Sequence, residues 1–187
     1  MAEAKQDLRV KKTQRLLASA MLTLLEKNMF GKITVNDICA EAMVSRSAFY
    51  SHFEDKYALL RFCIGILKEK TFEASQCMDI PTRLRHVLEK ISEHSNVFRN
   101  LLLSALDTEV MEMMRHAFHA DFERLLKRCD LEEKMLPGPV NLMTVYYASG
   151  ITSLILYWIS ENMTYSIDEI ADCLCALLPK ELLSEQC

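Results

Sequence analysis

Glycine and proline are both scarce in this chain, four of each among 187 residues. An all-β protein needs many tight turns, so the scarcity points to a mostly helical chain. The seven cysteines (Cys39, Cys63, Cys77, Cys129, Cys173, Cys175 and Cys187) are an odd number, with no CxxC pair and no clustered histidine partners. That favours reduced thiols in a cytosolic protein, several of them filling core positions, with redox sensing the alternative. A Gly-rich phosphate loop, a nucleophile elbow, an HExxH pair and paired carboxylates in a recognisable frame are all missing. Enzyme chemistry therefore finds no support, and no cofactor is expected. His116 and His119 lie three residues apart, but no Cys at helical spacing and no recognised metal-ligand motif joins them, so no metal site is expected. The opening stretch is polar and lacks the apolar core of a signal peptide. There is no internal repeat and no low-complexity region.

Half of the residues are hydrophobic, enough for a sizeable core. The net charge of −4 is unevenly spread: residues 1–56 hold nine Lys/Arg against seven Asp/Glu, and the remainder thirteen against nineteen. An acidic body with a mildly basic N-terminal end suppresses non-specific sticking to DNA while leaving a local basic footprint.

Apolar periodicity predicts a helix from Asp7 to Lys27, ended by Asn28 and Gly31. Thr34, with Asp37 three residues on, opens a short helix to about Met43. Ser45 is placed as the N-cap of another, to about Phe53, and Asp55 opens a fourth to about Ser75. Beyond Pro81, helical patterns run over Thr82–Ser95, Val97–Ala105 and Thr108–Cys129, with breaks near Asn96 and Asp107. Leu131–Pro139 contains Pro-Gly-Pro and reads as a loop. Two last helices follow, Val140–Glu161 and Ser166–Leu178, the second opened by a capping box of Ser166 and Glu169.

The segment from Ile33 to Lys56 carries the functional signal. Val35, Ile38, Ala42, Val44, Phe49 and Phe53 supply an inner face for two short, tightly linked helices. The outward face of the second is then Arg46, Ser47, Tyr50 and Ser51. Arg46 can reach guanine bidentately, Ser47 and Ala48 are small enough for close approach to a major groove, and hydroxyls can meet base or phosphate. Thr34 sits at a helix N-terminus suited to a phosphate oxygen, and Lys56 can clamp the same backbone as a point charge.

This segment resembles the TetR family of bacterial regulators, whose signature runs roughly Thr-x-x-x-Ile-Ala-x-x-Ala-Gly-Val-Ser, then Tyr-x-His/Tyr-Phe and a Lys. The matching positions are Thr34, Ile38, Ala42, Val44, Ser45, Tyr50, His52, Phe53 and Lys56. By that resemblance Thr34, Tyr50 and Lys56 hold phosphates, Arg46 and Ser47 read bases, and His52 contacts backbone or a base edge. The implied architecture is all-α, with a three-helix helix-turn-helix head over residues 1–54 and a helical effector-binding and dimerisation part over 55–187. The chain departs from the family at Met43, where a turn glycine is usual, and at Ser47-Ala48, where Gly-Thr is usual.

Residues Met135 to Ser160 contain no Asp, Glu, Lys or Arg. Residues 140–160 are long enough to span a bilayer. Asn141, Thr144, Ser149, Thr152 and Ser153, the missing basic flank and the lack of a second span favour instead a helix buried on all sides, and no membrane partner. Small residues here would admit a partner helix closely. The family resemblance implies that the last two helices form a four-helix bundle with a second copy, through Ala148, Ser149, Thr152, Ser153, Leu156, Ile170 and Leu174. The stretch from Gly150 to Ser160 is also similar to a TetR branch that includes activators of dihydroxyacetone kinase operons. The same analogy puts a small-molecule effector among Phe62, Ile66, His86, Phe98, Leu102, Met113, Met114, Phe118 and Tyr147, although each taken singly reads more readily as ordinary core. The reading is a cytoplasmic homodimer on a near-palindromic operator in double-stranded DNA, a repressor released by an effector. An activator or co-activator of the same shape, and a dimeric interaction module without DNA binding, are the alternatives.

Overall fold

The computed structural model describes residues 2–74, 79–102, 109–116, 119–120, 138–180 and 183, and every element among them is helical. In chain order these are α1 (Ala2–Leu25), a 3-10 turn (Phe30–Lys32), α2 (Val35–Glu41), α3 (Arg46–Tyr50), α4 (Lys56–Ala74), α5 (Ile80–Glu93), α6 (Ser95–Leu102), α7 (109–116), α8 (Val140–Ser160) and α9 (Ile167–Leu177).

The local stop and start signals act largely as read. Asn28 ends α1 by donating from Nδ2 to the Leu24 carbonyl at 3.2 Å, but Gly31 plays no such part and lies inside the 3-10 turn. The start of α5 moves two residues earlier than the pattern suggested. Asp79 caps it by accepting from the Thr82 amide at 2.8 Å, and Pro81 falls in the first turn, where a missing N–H costs nothing. The break expected near Asn96 falls at His94, and Asn96 lies within α6. The break at Asp107, the helical run beyond 120 and most of the Pro-Gly-Pro loop lie outside the described residues.

The apolar core does not stop at residue 54. Leu17, Met21 and Leu25 of α1 share it with Phe30, Ile38, Phe49, Phe53 and Leu59, and also with Val97 and Leu101 of α6 and Val110 and Met114 of α7. Each fully buried side chain of this size contributes roughly 1.5–3 kcal/mol. Polar contacts join the same elements: Asn100 in α6 donates to the Leu25 carbonyl at 2.8 Å, and His94 lies 3.7 Å from Glu26. A second cluster holds α5, α8 and α9 together through Leu88, Ile91, Ile155, Trp158, Ala171 and Leu174. Phe98 and Leu102 pack against both. Arg85 ties α5 to α9 through Asp168 and Asp172. Cys39 and Cys63 behave as small core residues, and burial pushes the Cys63 thiol up to about 12.

One helix among the described residues, α8, is long and apolar enough to cross a membrane by length and composition. It is buried on one side only, through Thr144, Ala148, Thr152, Ile155, Trp158 and Ile159. The buried hydroxyls are satisfied within the helix, Thr144 donating to the Val140 carbonyl and Thr152 to that of Ala148. The Trp158 indole donates to the Tyr165 carbonyl at 2.8 Å. Its other side stays open: Leu142, Val145, Tyr146, Ser149, Ser153 and Tyr157 are exposed.

The link between α2 and α3 closes as a Schellman motif, with Val44 N–H on the Cys39 carbonyl and Met43 N–H on that of Ala40. That motif requires a left-handed residue, and Met43 supplies it at φ 52° with its side chain 94% exposed. The turn therefore closes in the left-handed conformation without a glycine. Met43→Gly should raise stability by about 1 kcal/mol, the order of the left-handed penalty. Denaturant unfolding checks this, and a lower midpoint for the variant would contradict it.

Candidate nucleic-acid interface

A five-residue helix has no stability of its own, so α3 depends on what anchors its ends and its inner face. Ser45, in extended backbone, accepts from the Ala48 amide at 3.2 Å and so starts the helix. Phe49 is fully buried and Phe53 nearly so, with ring centroids 6.0 Å apart, and Phe62 of α4 packs 5.4 Å from Phe53. This side fixes the helix in the core. The opposite side presents Arg46, Ser47, Tyr50 and Ser51, all exposed. Arg46 and Tyr50 stand one turn apart, with the guanidinium 5.8 Å from the ring centroid. An arginine held over an aromatic face keeps its planar fork ordered and its charge in solvent. Ala48 and His52 flank this face, half-buried.

Thr34 begins α2 through a reciprocal capping box. Its hydroxyl accepts from the Asp37 amide at 3.2 Å and donates to the Asp37 carboxylate at 2.6 Å, while its own N–H donates to the same oxygen at 2.8 Å. The hydroxyl proton expected to meet a phosphate is thus already committed to Asp37. Lys56 also differs from the expectation. Its ammonium points back into the protein and donates to the carbonyls of Ile33 at 2.9 Å and Phe30 at 3.0 Å. The spacing to these partners, more than twenty residues back along the chain, left no local trace in the sequence.

Six of the nine expected effector residues fall in or against one apolar cluster, and the other three do not join it among the described residues. Phe62, Ile66, Met113 and Met114 belong to the core that includes α1, Tyr147 packs in a separate cluster with Ile80, and Phe98 and Leu102 lie between cores. His86 sits on α5, and Phe118 falls outside the described residues. Of the expected dimer residues, Ala148, Thr152, Ile170 and Leu174 are buried within the protomer, where they cannot also face a partner. Leu156 is half-buried against the α1 core, and only Ser149 and Ser153 are exposed. The helical period explains the difference: small residues flank both sides of α8, and the sequence does not mark which side packs inward.

Family models match most of the chain. Residues 17–62 match the bacterial regulatory proteins of the tetR family, and residues 79–180 match a transcriptional regulator C-terminal region of the same family. The chain belongs to the tetR family. It carries the family's helix-turn-helix at α2 and α3 and a helical C-terminal region. It is similar to the uncharacterised HTH-type transcriptional regulator YxbF of Bacillus subtilis, at 28% identity over 169 residues, covering 81% of this chain and 41% of that protein. It thus spans about two fifths of that relative's length. In fold it is similar to a TetR transcriptional regulator of Streptococcus agalactiae (TM-score 0.70, 24% identity, 96% of this chain and 99% of that one). The dihydroxyacetone kinase operon activator DhaS is a further structural neighbour (TM-score 0.65, 21% identity, 91% and 96%).

The capping box gives the TetR head a pH-dependent element. The Thr34 hydroxyl, and then its N–H, hold the Asp37 carboxyl below the ordinary aspartate value of 3.8. A group depressed in the folded state stabilises at pH above its unfolded value, and that contribution is lost as pH falls through the folded one. Acidification below 3.8 should therefore release the start of α2. Hydrogen exchange at Thr34 and Asp37 should accelerate there, and in Asp37→Asn the acid-dependent step should disappear.

Proposed function

We propose that this TetR-family chain is a cytoplasmic homodimer that occupies a near-palindromic operator in double-stranded DNA, represses transcription there, and is released by a small-molecule effector. It acts by binding and not by catalysis. The observation that carries the reading is α3: one face locked into the core by Phe49 and Phe53, the other presenting Arg46, Ser47 and Tyr50 to solvent. That is the form a helix needs to lay side chains against base edges in a major groove. Selection of bound sites from random duplexes should yield a two-fold consensus, with affinity falling steeply with salt, about −0.9 in log–log slope per neutralised phosphate. Arg46→Ala should weaken binding by about 1–3 kcal/mol and relax discrimination at one base position of each half-site. No enrichment at any salt would reject the DNA-binding reading, and a reporter gene placed behind the selected site gives the sign of regulation.

Dimerisation is supported by the uncharged, exposed stripe of α8. Leu142, Val145, Tyr146, Ser149, Ser153 and Tyr157 lie along one side, and Cys173 and Leu177 of α9 are exposed as well. A two-fold interface buries one such patch against its own copy, and spacing two α3 helices roughly 34–36 Å apart on DNA requires two heads. The working dimer face is then this open side of α8, through Ser149 and Ser153. Ser149→Arg would bury an unpaired charge there, at a cost of several kcal/mol. Sedimentation velocity should show the variant as a monomer with its helical content intact, and a variant that stays dimeric would remove α8 from the interface.

The effector reading gains support from His86. Its Nε2 is buried without a hydrogen-bond partner, while Nδ1 lies toward Glu89 at 3.9 Å. A buried polar atom left unsatisfied costs about 1–3 kcal/mol, and a ligand offering a hydrogen-bonding group would recover it.

A further inference from the structure

Lys56 stands at the start of α4, where a cation for the DNA backbone is expected, yet its ammonium is engaged elsewhere. Nζ donates to Ile33 O at 2.9 Å, Phe30 O at 3.0 Å and Gly31 O at 3.4 Å. It also lies 4.5 Å from the Phe30 ring centroid and 5.7 Å from that of Tyr57. An ammonium has three N–H donors, and three carbonyls converge on them here. Those carbonyls belong to the 3-10 turn and the residue that caps it, a helix end that is short of donors and carries partial negative charge. Phe30 is fully buried, with Tyr57 edge-on to it at 5.1 Å, so the turn is held from its apolar side as well.

The next residue after Ile33 is Thr34, the N-cap of α2. Whatever fixes the 30–33 turn therefore fixes where α2 begins, and the Schellman link passes that placement on to α3. To reach a phosphate, Lys56 would have to leave three acceptors at once. We propose that Lys56 is a positioning residue for DNA binding and not a phosphate contact: it seats α2 and α3 at the angle at which Arg46 and Ser47 meet the duplex. The claim rests on the DNA-binding reading for its affinity readout, but the placement of α2 can be followed without DNA.

The test uses the full chain with Lys56→Met, which keeps a stem against Phe30, and Lys56→Arg, which keeps the charge but offers a planar fork that cannot converge on three carbonyls. Backbone amide shifts of Thr34 to Asp37 are recorded in the free protein. Affinity for the selected duplex is then measured across a salt series, well below each variant's melting temperature. In Lys56→Met the α2 amides should move and binding should weaken about tenfold, with the salt slope unchanged. Lys56→Arg should weaken binding as well, despite its charge. A slope shallower by about 0.9 per protomer, with α2 amides unmoved, would make Lys56 a phosphate contact and overturn the proposal. Unchanged affinity in both variants, with lowered melting temperature alone, would overturn it equally, leaving Lys56 a brace of the fold only. A wild-type chain that selects no duplex fails the regulator reading itself. The clamp is then judged on the α2 amides, which move in Lys56→Met if it holds and stay in place if it does not.

Discussion

Helices of seven and five residues are too short to persist in water, and the face proposed to meet DNA is built on two of them. The constraint behind the rest of the structure is therefore the core at their backs. Ile38 and Phe49, both fully buried, nail α2 and α3 to α1 and α4. Phe53 extends the contact to Phe62. With those side chains committed inward, the helical period leaves no choice about what faces out, and Arg46, Ser47 and Tyr50 follow. The polar devices at the ends of the two helices add direction to this hold. Thr34 with Asp37, Ser45, and the carbonyl cluster on Lys56 decide where each short helix begins.

The same logic divides what could be read in the sequence from what could not. The caps at Thr34, Ser45 and Ser166 were legible because each is a contact between residues three apart, within the reach of local pattern. Phe49 and Phe53 were legible because their spacing puts them on one side of a helix. Met43 was legible as a departure from the family's glycine, but not whether the turn would adjust, and it takes the left-handed conformation at φ 52°. Long-range geometry was not legible. The partners of Lys56 lie 23–26 residues back, and a lysine that clamps carbonyls has the same letter as one that awaits a phosphate. Along α8 small and apolar residues occur all round, so sequence alone did not say that Ala148 and Thr152 turn inward and Ser149 and Ser153 outward. The effector residues were chosen by analogy, and Met114 among them lies buried, 4% exposed.

Two kinds of core coexist in the body. The cluster of α5, α8 and α9 is closed by aliphatic packing, by the Trp158 indole on the Tyr165 carbonyl, and by Arg85 across to α9. The cluster around α1 is larger and runs through five other helices, α2, α3, α4, α6 and α7. Phe98 and Leu102 of α6 touch both. A short helix that is packed on two cores at once responds to a change in either, which gives α6 a position of influence between the reading face and the rest of the chain.

The continuity of the α1 core also bears on modularity. Helix-turn-helix heads invite treatment as interchangeable parts, cut where the third helix ends and joined to another body. Here Val97, Leu101, Val110 and Met114 fill the back of the head, and the last carbonyl of α1 takes its donor from Asn100. A graft taken at residue 54 would carry the proposed DNA-facing side chains and leave behind part of the surface that shapes them. In a chimaera, or in the divergence of relatives, the unit of inheritance is the head together with the faces of α4, α6 and α7 on which it rests.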